Sequence, residues 1–337
     1  MDRKRVIVFG ATGNLGAYTA LQLKGDGYDV IAVGNRQSDN GFFSDYGIEY
    51  YSVDICDPTS FAKLPDSGID VVVHFAGTLP SRYEYNPGLL IESITRGTLN
   101  VLAYMRKSGS KKIVFPQTPF DIWYLHNTET LIKADDKRTF PPTGDHSVYT
   151  IAKNAAVDLI ENYHYEYGIS RFILRFFTIY QYHPNPYHYA NGVQKMMPYR
   201  ILIDRAMRGE DIEIWGDPKR CKEIVYIKDF TRLVSLCVSS TNEGGIYNVG
   251  GNRVSLEEQI QGIIDVFSPI ENPSRKIYCP NLGNSLLAGF DTSKTEKELG
   301  YTPQYSYLEA MRDFYQEMRT EPFAKLWGTS NDYNKTN

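Results

Sequence analysis

VIVFGATGNLGAY, residues 6–18, is the stretch on which the reading of the fold turns. Its opening residues are branched or aromatic with no polar break, the look of a parallel strand covered on both faces. Gly10, Gly13 and Gly16 follow at G-x-x-G-x-x-G spacing, and NLGAYTALQLKGDG (14–27) continues as a helix that ends in glycines. The first glycine permits a tight turn. The second lets backbone approach a pyrophosphate, and the third lets the helix lie close to the sheet. A diphosphate placed there meets free N–H groups and the positive end of a helix. An ordinary glycine-containing turn is the competing reading, and the flanking strand and helix favour nucleotide binding.

The same alternation continues outward. YDVIAVG (28–34), IDVVVHFAG (69–77), KKIVFPQ (111–117) and SRFILRFFT (170–178) read as further strands. PGLLIESITRGTLNVLAYMRKSG (87–109) reads as one helix from an early proline to a terminal glycine, and SVYTIAKNAAVDLIENYHYEYG (147–168) as another. Strand, helix, strand at this spacing predicts an α/β fold: a Rossmann-type doubly wound parallel sheet with a smaller C-terminal α/β substrate-binding lobe. Residues 1–180 are expected to form the NAD(P)-binding domain. Residues 181–330 are expected to form the smaller lobe, interleaved with the first, beginning in a Pro/Tyr/His/Asn-rich loop (181–192). Helices are predicted around 196–208, 256–266 and 306–318.

Composition narrows the class. The 337 residues carry a formal net charge of −4, with 42% hydrophobic and 23% charged residues, which suits a soluble globular protein and argues against a nucleic-acid partner. No apolar run reaches the roughly 18 residues of a membrane span. The charged tip MDRKR runs straight into a strand and does not read as a signal peptide, so the expected location is cytoplasmic. Cys56, Cys221, Cys237 and Cys279 form no Cys-x-x-Cys pair and read as free thiols, mostly buried. His183 and His188 read as structural or substrate-loop residues, and no metal is expected.

At the end of the second strand, AVGNRQSD offers Gly34, Asn35 and Arg36 where an acid usually holds the adenosine 2′-hydroxyl. Gly34 removes repulsion and Arg36 can fork onto a 2′-phosphate, a modest tilt to NADP over NAD, unless Arg36 is simply solvated. Asp54 either accepts from the adenine amine or caps the turn before Pro58. In HSVYTIAK (146–153), Tyr149 and Lys153 share a helix face. A phenol near pKa 10 is a poor base at neutral pH, and an adjacent ammonium stabilises the phenolate. A lysine there can also bond the nicotinamide ribose. Thr118, after the strand and between Pro116 and Pro119, either orients a substrate hydroxyl or is a turn residue.

GATGNLG (10–16), VDICD (53–57), HFAG (74–77), YTIAK (149–153), LRFFTIY (174–180), EIVYIKDF (223–230), YNVGG (247–251) and DTSKTEKELGYTP (291–303) lie along nearly the whole chain. In their order and spacing the chain resembles the extended short-chain dehydrogenase/reductases, in particular the NAD-dependent epimerase/dehydratase group acting on nucleotide sugars. The resemblance implies that Tyr149 is the base and acid, Lys153 its partner and Thr118 the third member. It implies cofactor contacts from Gly10, Thr12, Gly13, Asn14, Leu15 and Gly16, from Asn35 and Arg36, from Asp54 and Ile55, and from Phe75, Ala76, Gly77 and Lys153. Substrate contacts are implied for Thr178 and for Lys222, where the family often has an arginine gripping a diphosphate, with Arg220 a rival. The chain departs from the pattern at Gly34, at Ile94 in place of asparagine, at Gln181 in place of glycine, and in YCPNLGNSLLAG (278–289), where a nucleotide-sugar arginine is missing.

Pro119 and Phe120 stand where the family's dehydratases have an Asp-Glu pair, and an apolar ring delivers no proton. The expected activity is therefore a nucleotide-sugar epimerase that oxidises C4 transiently and returns hydride to the other face. An NADP(H)-dependent reductase or dehydrogenase of a keto sugar or related carbonyl is the alternative, and a dehydratase comes after it. A binding protein without chemistry is the non-enzymatic reading; the presence of Tyr149, Lys153 and Thr118 speaks against it. The helices at 87–108 and 148–167 are apolar on more than one side, and relatives pair these helices, so a homodimer through them is expected.

Overall fold

The structure, a computed structural model, describes residues 3–80, 85–144, 146–190, 193–284 and 286–333. β1 (Arg5–Phe9) leads through the glycine turn into α1 (Asn14–Gly25), then β2 (Asp29–Gly34), a short α2 (Phe42–Asp45), β3 (Glu49–Ser52) and β4 (Val71–His74). α3 (Pro87–Leu90) widens into a π-type turn over Ile91–Arg96 and resumes as α4 (Gly97–Ser108). β5 (Lys112–Gln117), a 3-10 stretch over Pro119–Leu125, α5 (Ser147–Tyr167) and β6 (Ser170–Arg175) complete the first half. The second half adds β7 (Thr178–Tyr180), β8 (Tyr187–Ala190), β9 (Val193–Met196), α6 (Pro198–Met207), β10 (Ile212–Trp215), β11 (Cys221–Tyr226) and α7 (Ile227–Ser239). β12 (Gly244–Asn248), β13 (Asn252–Ser255), α8 (Leu256–Phe267), β14 (Lys276–Cys279), α9 (Ser293–Leu299), α10 (Tyr307–Thr320), α11 (Ala324–Trp327) and α12 (Ser330–Tyr333) follow.

Seven strands form the central sheet in the order β12-β6-β5-β4-β1-β2-β3, every neighbouring pair parallel. This is the Rossmann-type α/β architecture. The near-continuous apolar strands are explained by cover on both faces. Val6 and Val8 enter one core with Val30, Ala32 and Val71, while Ile7 and Phe9 enter the other with Ile31, Val33 and Val72. Local chemistry sets the helix ends: Gly168 closes α5 at φ 65°, and Ser255 and Ser306 open α8 and α10 with reciprocal capping boxes.

Three details differ from the sequence reading. The helix read over 87–109 is interrupted by the π-type turn, which sets Ile94 in a cavity wall and lets Thr98 Oγ1 donate to the Ile94 carbonyl at 2.5 Å. The loop read over 181–192 contains β8, which pairs antiparallel with β9; residues 191 and 192 lie outside the described residues. Only Cys237 is buried, and the other three thiols are partly exposed: Cys56 sits in a turn, Cys221 at the first residue of β11 and Cys279 at the end of an edge strand. The chain after residue 180 also returns to the first sheet. β12 pairs with β6, and the indole N–H of Trp327 donates to the Thr12 carbonyl at 3.0 Å.

Candidate active site

The glycine turn is built by contacts no side chain would allow. Gly10 takes φ +81°, and a Cβ there would lie 2.6 Å from the Ala76 nitrogen, where β1 and β4 run side by side. A Cβ on Gly16 would lie 2.1 Å from the Gly10 carbonyl, so α1 can close on the turn only as glycine. Gly13 precedes α1 with no side-chain cap, which leaves the first N–H groups of that helix unclaimed by side chains.

Beside the turn lies a cavity of about 620 Å³, and the residues around it come from distant parts of the chain. Gly10, Gly13, Asn14, Leu15 and Gly16 line one part, Phe75, Ala76 and Gly77 another, and Thr118, Tyr149, Lys153 and Thr178 a third. Tyr149 and Lys153 project from adjoining turns of α5, both almost buried. Lys153 Nζ donates to the Pro116 carbonyl at 2.8 Å and lies 4.4 Å above the Phe115 ring, with the Tyr149 ring centre 6.0 Å away. Burial penalises both charged forms: it raises the phenol above its ordinary value and pulls the lysine down to about 7. Desolvation alone sets the phenol's direction here, and no lowering by the Lys153 ammonium offsets it.

Thr118 caps the 3-10 stretch after β5, its Oγ1 accepting from the Phe120 N–H at 3.2 Å. Its own N–H donates to Gln117 Oε1, and Gln117 reaches Asn154 and Asp121. Asp121, fully buried, accepts from Arg175 at 2.9 Å, and Arg175 also donates to Asn248 on the edge strand. This network ties the Thr118 loop, α5 and β6 together directly beneath the cavity. Asp121 itself is absent from the described lining, so it braces the loop. In the sequence Asp121 is only the acid that follows Phe120, one place beyond the Asp-Glu position, and Arg175 reads only as part of a strand.

Several of the expected contact residues lie apart from this cavity. Thr12, Asn35, Arg36, Asp54, Ile55 and Lys222 are outside the described residues that line the cavity. A Cβ on Gly34 would lie 2.8 Å from Thr12 Oγ1, a steric reason for glycine in place of an acid. Arg36 Nη1 donates to the Leu326 carbonyl at 2.8 Å, and its own carbonyl accepts from Tyr50. Asp54 accepts from the Cys56 N–H at 2.9 Å, the turn-capping arrangement, and Ile55 is buried against Gly97. Lys222 lies 6.0 Å from the Tyr180 ring centre, its pKa lowered by burial, while Arg220 donates to Asn127.

The remaining wall is aromatic. Phe120 and Trp123 stack with ring centres 5.3 Å apart, and Phe177 stacks on Phe290 at 4.2 Å. Beside the cavity, Gln181 Oε1 is buried with no hydrogen-bond partner, and the buried His126 imidazole lies against the Pro119 backbone. Gln181 had been marked by departure from the family pattern, whereas nothing in the sequence pointed to His126. Among the described lining residues Lys153 is the only lysine or arginine, and there is no aspartate or glutamate.

The model of the NAD dependent epimerase/dehydratase family matches residues 6–250. A putative UDP-glucose 4-epimerase of Methanocaldococcus jannaschii is 26% identical, over 91% of this chain and 96% of its own. A dTDP-glucose 4,6-dehydratase of Xanthomonas campestris is also 26% identical, over 72% of this chain and 70% of its own. Among solved structures, the UDP-glucose 4-epimerase of Thermotoga maritima superposes with TM-score 0.74 at 23% identity, covering 94% of this chain and 99% of that one, a likeness of fold. No helix among the described residues is long and apolar enough to cross a membrane.

Proposed function

The chain belongs to the NAD dependent epimerase/dehydratase family, and on that premise we propose that it inverts C4 of the sugar in a nucleotide sugar. The observation that carries this reading is a single cavity joining the glycine turn to Tyr149, Lys153 and Thr118, with no carboxylate among its described lining residues. A dinucleotide fits the turn, since any Cβ at Gly10 or Gly16 would strike backbone. When bound there, its nicotinamide supplies a reversible hydride acceptor.

The chain's own residues supply the rest. Tyr149 Oη takes the proton of the substrate hydroxyl as a phenolate, its own proton having passed to the Lys153 amine that burial lowers to about 7, and returns it when the C–H bond is re-formed on the other face. Lys153 shares the proton balance of the cavity, and Thr118 Oγ1 holds the reacting oxygen in line. Pro119 and Phe120 offer no group to protonate a departing hydroxyl, so loss of water is not assisted. Thr178 faces the substrate, with Lys222 beyond the cavity for the diphosphate. A 2′-phosphate would have to draw Arg36 away from Leu326, so we take NAD as the cofactor. Leu99 and Ile151 remain 40% and 45% exposed on α4 and α5, which supports a homodimer through these helices.

A reductase of a keto sugar or related carbonyl is the second reading. It is favoured by the aromatic wall and by Lys153 being the only lysine or arginine among the described lining residues. One experiment separates the two: gentle purification, release and mass spectrometry of the bound cofactor, then UDP-glucose turnover followed by NMR. Retained NAD, formation of the C4 epimer, and a Tyr149→Phe protein that keeps NAD but loses at least about 100-fold in turnover support epimerisation. Wild-type turnover in Tyr149→Phe overturns the base assignment. An empty protein that consumes NADPH with a keto sugar selects the reductase.

A further inference from the structure

We propose that Gln117 is a positioning residue of the active site, holding the Thr118 hydroxyl at a fixed place relative to Tyr149. This rests on the roles given above to Tyr149, Lys153 and Thr118. Gln117 is the last residue of β5, and strand alternation puts it on the face of Ile113 and Phe115, the side that packs with α5. It is only 2% exposed, and an amide buried beside apolar side chains is tolerated only when its groups are bonded. Oε1 accepts from the Thr118 N–H at 2.9 Å, while Nε2 donates to Asn154 Oδ1 at 2.9 Å and to Asp121 Oδ2 at 3.3 Å. The Thr118 N–H can only donate, and Asp121 Oδ2 already accepts from the Arg175 guanidinium, so one amide orientation alone satisfies these contacts.

Two consecutive residues of β5 are thus joined to two consecutive residues of α5. The Pro116 carbonyl accepts from Lys153 Nζ at 2.8 Å, and Gln117 donates to Asn154. The first link ends on the amine that exchanges a proton with Tyr149. The second is neutral whichever group holds that proton. Gln117 therefore keeps the Thr118 loop docked on the helix that carries Tyr149 while Lys153 gains and loses charge. Thr118 Oγ1 accepts from the Phe120 N–H at 3.2 Å, which leaves its O–H to donate to the reacting oxygen. The place of that O–H follows the backbone that Gln117 pins, and a displacement of about 1 Å at such a group can cost about 100-fold in rate.

A double-mutant cycle tests this, run on whichever activity the wild type shows, UDP-glucose epimerisation or NADPH consumption with a keto sugar. Gln117→Met removes the amide at nearly constant length, and Asn154→Met removes the link to α5 while leaving the bond between Gln117 and Thr118. Each is expected to lower kcat about 10- to 100-fold, with KM and cofactor affinity within about twofold of the wild type. In a Thr118→Val background the same two substitutions are expected to change kcat by less than about twofold, because the group they position is gone. Unchanged kcat in either single variant overturns the proposal. So does an equal loss with and without Thr118, or a parallel loss of cofactor affinity, each of which marks a general packing role. A wild type active only with NADPH rejects epimerisation, and the cycle still decides on Gln117. One with neither activity rejects the proposed chemistry and this inference with it.

Discussion

Replacing Lys153 by methionine should make the protein more stable while disabling it. Methionine keeps the unbranched apolar stem and removes the buried ammonium. The lysine falls from an ordinary 10.5 to about 7 in the folded chain. At about 1.4 kcal/mol per pH unit, that difference sets a ceiling of about 5 kcal/mol on what the ammonium costs the fold below pH 7. The unfolded chain holds this proton up to 10.5 and the folded chain releases it near 7, so the cost is full in acid and shrinks as pH rises between those values. At pH 9 about 2 kcal/mol of it remains. Against this, the variant loses the hydrogen bond to the Pro116 carbonyl, about 1–3 kcal/mol at either pH. Urea unfolding of both proteins at pH 6 and pH 9 isolates the effect, because every other titrating group is shared. Lys153→Met should gain about 2–3 kcal/mol more over the wild type at pH 6 than at pH 9. An advantage equal at both pH values, or larger at pH 9, refutes the reading of Lys153 as a strained, desolvated ammonium.

Two further perturbations probe the parts that position the site. Asp121→Asn leaves the Arg175 guanidinium buried without its counter-charge and should cost about 3–5 kcal/mol in urea unfolding. Adding Arg175→Met should recover most of that loss, and no recovery would mean the pair does not act as a unit. Trp327→Phe removes the N–H that donates to the Thr12 carbonyl beside the glycine turn. NAD affinity, read by fluorescence titration, should fall about threefold to tenfold, and unchanged affinity would show that the C-terminal segment does not brace the turn.

Residues 6–18 determined the start of the fold unaided, because strand period, glycine spacing and helix period are set by near neighbours. The same holds for Tyr149 and Lys153, which a single helical turn brings to one face whatever surrounds them. What the environment does to that pair was not legible. Whether an ammonium lowers a phenol or burial raises it depends on how much water the rest of the chain removes. Arg175 meets Asp121 across 54 positions within the first half, and Trp327 meets Thr12 across 315, a contact that exists only once the second half of the chain returns to the first sheet. His126 became notable only when folding closed an aromatic wall around it and buried both its nitrogens. Periodicity and turn chemistry are local and can be read in order, whereas burial and charge pairing are properties of a packed interior, and tertiary structure alone decides them.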